Sequence, residues 1–138
     1  MDCSIGNRRM EKLRELTDNL PTFPGYIEDK SYAGYKEYKM EKGECFAWFI
    51  HRSGNDVAVH RWFNSKDSIF PEHVHPEKEW IIVYKGSMDI IKKGEVIHLN
   101  TGELIFNEPN VPHSARFPEE CRYLTIMIPP SKEYPNVG

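Results

Sequence analysis

Three glycines, Gly86, Gly94 and Gly102, stand eight residues apart, and short β-rich runs (Ser87–Lys92 and Glu95–Asn100) lie between them. That interval leaves room for a strand of five or six residues and a tight turn, and for nothing longer. Evenly spaced turns between short strands are the mark of a β-sandwich or barrel. The pattern extends in both directions. Cys45 to Ile50, Val57 to Phe63, Trp80 to Tyr84, Leu104 to Asn107, His113 to Phe117 and Tyr123 to Ile128 all read as strands. Ser53-Gly54-Asn55-Asp56 reads as a turn, and Pro129-Pro130 stops the last strand. With a shorter run at Tyr35–Met40 and another at Ile69-Phe70, about ten strands are expected. A chain of 138 residues makes them one domain with a real hydrophobic core.

Helical periodicity appears once. Met10, Leu13, Leu16 and Leu20 recur at helical spacing, with Arg9, Glu11, Lys12, Arg14, Glu15 and Asp18 on the other faces, so residues 8–19 are expected to form a helix that Pro21 and Pro24 end. So short a helix needs a surface to pack on. The division expected is a helix and linker over 1–24, a β-barrel domain over 25–130 and a tail over 131–138. The tyrosines of the connection, Tyr26, Tyr32, Tyr35 and Tyr38, suit sheet edges with their hydroxyls in water.

Composition narrows the partners. A net charge of −3 gives no reason to expect nucleic acid or an anionic membrane, and no apolar run approaches membrane-spanning length. The three cysteines, Cys3, Cys45 and Cys121, have no Cys-x-x-Cys spacing and cannot all pair, which fits a reducing cytoplasm.

The chemistry concentrates at His73-Val74-His75-Pro76-Glu77-Lys78-Glu79. Alternate residues of a strand share a face, so His73 and His75 can bring two imidazoles to one ion. Glu79 and Glu77 have the same parity, and Pro76 interrupts the ladder, so parity alone does not choose between the carboxylates. Ile81 and Val83 share the face of Glu79, and Ala115 and Phe117 that of His113, which makes the barrel interior apolar. Trp80, Ile82 and Tyr84 then point outward and need a cover, either the N-terminal segment or a second subunit. His51 is expected to be exposed, and His60 and His98 to be hydrogen-bonded within strands.

His73, His75, Glu79 and Gly86 stand at the spacing His-x-His, three residues, Glu, six residues, Gly, and this resembles the first signature of the cupin superfamily. Gly102 followed by Pro109-Asn110-Val111-Pro112-His113 resembles the second, although Val111 stands where that motif has glycine and the asparagine usual after its histidine is absent. Asn tolerates positive φ where a β-branched residue does not, so Asn110 is expected to take the unusual backbone angle. The resemblance implies a cupin-type jelly-roll β-barrel, all-β apart from the short N-terminal helix. It also implies one divalent transition metal ion (iron, manganese, nickel, cobalt, copper or zinc) on His73, His75, Glu79 and His113. Its spacing favours Glu79 over Glu77. Such a set in octahedral geometry leaves two positions open. The resemblance further implies a homodimer and either of two functions. One is dioxygenase, decarboxylase or isomerase chemistry on a small polar chelating molecule, with His60, Arg61, Glu72 and Glu77 as candidate acids or bases. The other is non-catalytic binding or sensing of a small ligand.

Overall fold

The turn at Gly94 forms as its spacing predicts. Lys93 (φ 52°) and Gly94 (φ 73°) are the two central residues of a hairpin between β6 (Met88–Lys92) and β7 (Glu95–Leu99), with Lys92 paired to Glu95. Positive φ at both central positions matches the right-handed twist of the flanking strands. Gly86 (φ 82°) is needed for a second reason: a Cβ there would lie 2.1 Å from the Glu120 carbonyl oxygen.

These turns belong to a computed structural model that describes residues 30–31, 34–40, 42–53 and 56–130. The helix expected over 8–19, Cys3, Tyr26, Tyr32 and the tail 131–138 lie outside the described residues, as does the side chain of His51. Among the described residues every regular element is a strand. The remaining ones are β1 (Tyr35–Tyr38), β2 (Cys45–Ser53), β3 (Val57–Asn64), β4 (Ile69–His73), β5 (Lys78–Lys85), β8 (Leu104–Asn107), β9 (His113–Arg116) and β10 (Cys121–Ile128). They pair antiparallel into two sheets, ordered β1-β2-β3-β10-β5-β8 and β4-β9-β6-β7. This is the expected all-β jelly-roll architecture.

The core lies between the sheets and is built by alternation. Trp62, Ile81, Val83 and Tyr123 from the larger sheet meet Met88, Ile90 and Phe117 from the smaller sheet and its flank, all at most 5% exposed. Polar groups inside it are paired: Asn64 Oδ1 accepts from Tyr123 Oη at 2.7 Å, and Trp62 Nε1 donates to Thr125 Oγ1 at 2.8 Å. Ile81, Val83, Ala115 and Phe117 are all buried, as parity requires. One local expectation is corrected. β4 ends at His73, so His75 does not sit on that strand but in the following loop, because Pro76 cannot continue a ladder.

Candidate metal centre

The register of the smaller sheet brings the first two imidazoles together. β4 and β9 pair so that His73 lies directly opposite His113, with ring centroids 4.3 Å apart. The ladder is irregular between Phe70 and His73, where Pro71 has no N–H to give. His75 reaches the same place from its loop, 5.0 Å from the His113 ring and 5.6 Å from the His73 ring. That loop is held to the segment leading into β9 by the Asn110 N–H, which donates to the His75 carbonyl at 2.8 Å. Asn110 adopts φ 63°, the unusual angle expected of it in place of a glycine.

Each ring is also oriented by its own backbone. The Nδ1 atoms of His73, His75 and His113 lie 2.9, 3.1 and 3.1 Å from the carbonyls of Pro71, Glu77 and Val111. A carbonyl only accepts, so each Nδ1 carries the proton and each Nε2 presents a lone pair. One ring nitrogen from each of the three residues can be chosen so that all lie within 4.8 Å of one another.

Glu79 enters from the other sheet, at the start of β5 and 1% exposed. Its Oε1 stands 3.4 Å from His113 Nε2 and 3.7 Å from His75 Nε2. Asn107, its cross-strand partner on β8, donates from Nδ2 to the same oxygen at 3.1 Å. Burial by itself would raise the Glu79 carboxyl, but His113 and His75 outweigh it and hold the group at about 2. Burial lowers His73, with the Pro71 carbonyl working against it. His75 is raised despite its burial, through Glu79 and the Glu77 carbonyl.

The donor set fits a cation. Three imidazoles cluster, an ionised carboxylate stands beside two of them, and both His113 Nε2 and Glu79 Oε2 are buried without a partner. Donors at about 2.0–2.2 Å from one ion are at most about 4.4 Å apart, and both Glu79–histidine distances fall inside that limit. A divalent ion there would leave the centre with a net charge near +1.

Glu77 is half-buried, with Oε1 3.7 Å from His75 Nδ1. A cavity of about 20 Å³, room for about one water molecule, adjoins the cluster and is walled by Phe70, Ile81, Met88, Ile90 and Tyr123. Of the other candidate acids and bases, His60 is buried edge-on to Phe49, Arg61 lies on the outer face of its sheet, and Glu72 is exposed. His98 is exposed with Nδ1 2.6 Å from Asp89. Two residues without a sequence motif matter here. Asn107 orients Glu79, a role its inward parity with Ile105 could have suggested. Lys92 lies opposite His113 across β6 and β9, 9% exposed, and its Nζ donates to the Phe106 carbonyl at 2.7 Å and lies 3.3 Å from Glu108.

A family model described as "Cupin domain" matches residues 63–127. An RmlC-like cupin from Shewanella frigidimarina is 16% identical, with a TM-score of 0.64 over 72% of this chain and 87% of that one. KdgF from a Halomonas species is 15% identical, with a TM-score of 0.64 over 72% and 90%. A predicted oxalate decarboxylase from Thermotoga maritima is 18% identical, with a TM-score of 0.64 over 74% and 97%. No curated protein matches the sequence. At such identities the solved structures speak for the fold alone.

Proposed function

Because this chain belongs to the cupin superfamily, we propose that it is a metal-dependent enzyme acting on a small polar chelating molecule at a centre formed by His73, His75, Glu79 and His113. The observation that carries the reading is the cluster of His73, His75 and His113, whose ring nitrogens lie within 4.8 Å of one another, with the Glu79 carboxylate 3.7 and 3.4 Å from the second and third of them. When bound, a divalent ion supplies Lewis-acid polarisation and a template for two substrate oxygens, or for one oxygen and dioxygen. The chain's own residues fix the rest. The three backbone carbonyls hold the imidazoles in the Nδ1–H tautomer, and Asn107 holds the carboxylate. The apolar wall excludes water from the inner side of the site, so a substrate larger than a few atoms approaches from the mouth. Glu77 is the titratable group outside the ligand set that stands beside a ligand ring, and it is the acid or base of this proposal. Decarboxylation, dioxygenation and isomerisation are the reaction types that suit such a centre. A small dicarboxylate of the oxalate type is the first substrate to try, given the likeness to the Thermotoga protein.

The second reading, non-catalytic binding or sensing of a small ligand, is favoured by one observation: Tyr123, the cavity's one phenol, already donates to Asn64. A cytoplasmic location and a homodimer belong to the same proposal. The open part of the outward face, where Leu104 is 55% exposed beside Phe106 and Trp80, is the seam for pairing.

Elemental analysis tests the centre. One divalent ion per chain is expected, lost in His73→Ala and in His113→Ala and retained in Glu77→Gln. Retention in His113→Ala with loss in Glu77→Gln would overturn the ligand set. Turnover of a chelating acid by the loaded protein, abolished in Glu77→Gln while metal is kept, separates enzyme from sensor.

A further inference from the structure

The centre draws its ligands from two sheets, so its geometry depends on what ties those sheets together near the mouth. His73 and His113 pair on the smaller sheet, and Glu79 stands near the start of β5 on the larger one. Lys92 makes a polar tie between them. By alternation it shares the face of Met88 and Ile90, which lie in the core. It ends β6 with His113 as its direct cross-strand neighbour, so His73, His113 and Lys92 form one inward row across β4, β9 and β6. Its Nζ crosses to the larger sheet, where it donates to the Phe106 carbonyl at 2.7 Å and lies 3.3 Å from Glu108 Oε1. β8 is the last strand of that sheet. Its ladder with β5 uses the Glu103 carbonyl, which accepts from the Val83 N–H, and by alternation those of Ile105 and Asn107. The Phe106 carbonyl therefore faces the free side, and Lys92 supplies the donor that a further strand would have given. That carbonyl belongs to the peptide leading into Asn107, and Asn107 holds Glu79 Oε1 at 3.1 Å.

We infer that Lys92 is a positioning residue of the metal centre, acting through Asn107 to set where Glu79 stands against the imidazoles; this rests on the reading of the centre proposed above. The sign of its charge supports a geometric role. An ammonium on the strand next to His113 repels a cation, so by electrostatics alone Lys92 would weaken the site. Glu108, 3.3 Å from Lys92 Nζ and 3.6 Å from Lys93 Nζ, offsets that charge and keeps the ammonium at the β8 edge. A lysine that serves the centre from this place does so by joining the sheet of the imidazoles to the strand that orients the carboxylate.

The test uses the full chain with cobalt(II) as the probe, reading affinity by competition with a chromophoric chelator and coordination by visible absorption. Lys92→Met should bind cobalt about 5- to 20-fold more weakly, the lower part of the range for losing a group that orients a ligand. Its cobalt spectrum should shift towards that of Glu79→Gln. Lys93→Met removes the same charge from beside the same glutamate without touching the Phe106 carbonyl, and should stay within about twofold of wild type. In a Glu79→Gln background, adding Lys92→Met should change the affinity less than about twofold, because the residue it acts on is already gone. Tighter or unchanged binding in Lys92→Met would overturn the inference and leave the lysine a repelling charge or a bystander. A loss that persists in full in the Glu79→Gln background would overturn it too, since the effect would then be one of general stability. If Lys92→Met does not fold, Lys92→Gln, whose amide is too short to reach Phe106, takes its place in the same cycle. Wild type that takes up no cobalt would overturn the centre and this inference with it, whereas binding that depends on Glu79 but not on Lys92 would overturn this inference alone.

Discussion

Replacing Asn107 by leucine removes the amide that orients Glu79 and keeps the side chain's branched shape. Asn107 is 1% exposed, and its Nδ2 donates to Glu79 Oε1 at 3.1 Å. Its Oδ1 is buried without a partner, so the leucine strands no group through that atom. A hydrogen bond to a charged acceptor contributes about 1.5–3 kcal/mol. At about 1.4 kcal/mol per decade this is roughly 10- to 150-fold in an equilibrium constant. Losing a residue that orients a metal ligand weakens affinity about 10- to 100-fold, so the two routes to a magnitude agree. Asn107→Leu should therefore bind a divalent ion about 10- to 100-fold more weakly, measured by competition with a chromophoric chelator near pH 7.5. Its metal-free form should also be destabilised, by about 1–3 kcal/mol, because a buried carboxylate has lost its donor. An affinity within twofold of wild type, with the metal-free melting temperature unchanged, would refute the reasoning and remove Glu79 from the ligand set.

The turns and the acidic limit give two further predictions. Gly86→Ala should cost about 2–5 kcal/mol in urea titration, combining the left-handed strain of about 1–2 kcal/mol with a clash against the Glu120 carbonyl of about 1–3 kcal/mol. Gly94→Ala has similar φ but nothing within 4 Å, so only the first contribution should remain, and equal losses at both sites would contradict the close approach. Metal affinity should begin to fall at a pH above the ordinary histidine range, because protons compete first at His75, whose affinity for them is raised, and then at His73, whose affinity is lowered. Glu79, held at about 2, stays ionised throughout, so proton release per ion should climb on acidification without a carboxylate step near pH 4.5. A single step at pH 4–5 in the binding curve would count against imidazole ligation. For the metal-free fold the sign follows from the same value: Glu79 contributes stability above pH 4.5 that is lost as pH falls towards 2.

Much of the barrel was legible because its signals are local. Glycine turns, alternation and the final proline pair depend on neighbours in sequence, and they marked the strands from Cys45 to Ile128 closely. The inward side of β5 followed from parity alone. What the sequence could not carry was register between distant strands. That His73 faces His113 depends on the irregular pairing of β4 with β9, and Asn107 meets Glu79 only because β8 lies against β5. Nothing local in the sequence marks Lys92, whose neighbour across the sheet is His113. His75 reads as a strand residue by its parity with His73, but the ladder of β4 ends at His73 itself.

The register between β4 and β9 also bears on how the chain folds. Both imidazoles are in place only after β6 has paired with β9 and β9 with β4, so the centre cannot form from a local fragment. Its assembly has to wait for some of the least local pairings in the molecule, which makes it a late event on the folding pathway. An ion bound there acts as a removable clasp on a long chain loop, stabilising the native state and not the unfolded one. Free ion at a hundredfold excess over its Kd adds about 2.7 kcal/mol to the unfolding free energy, and chelation returns the chain to its unaided stability.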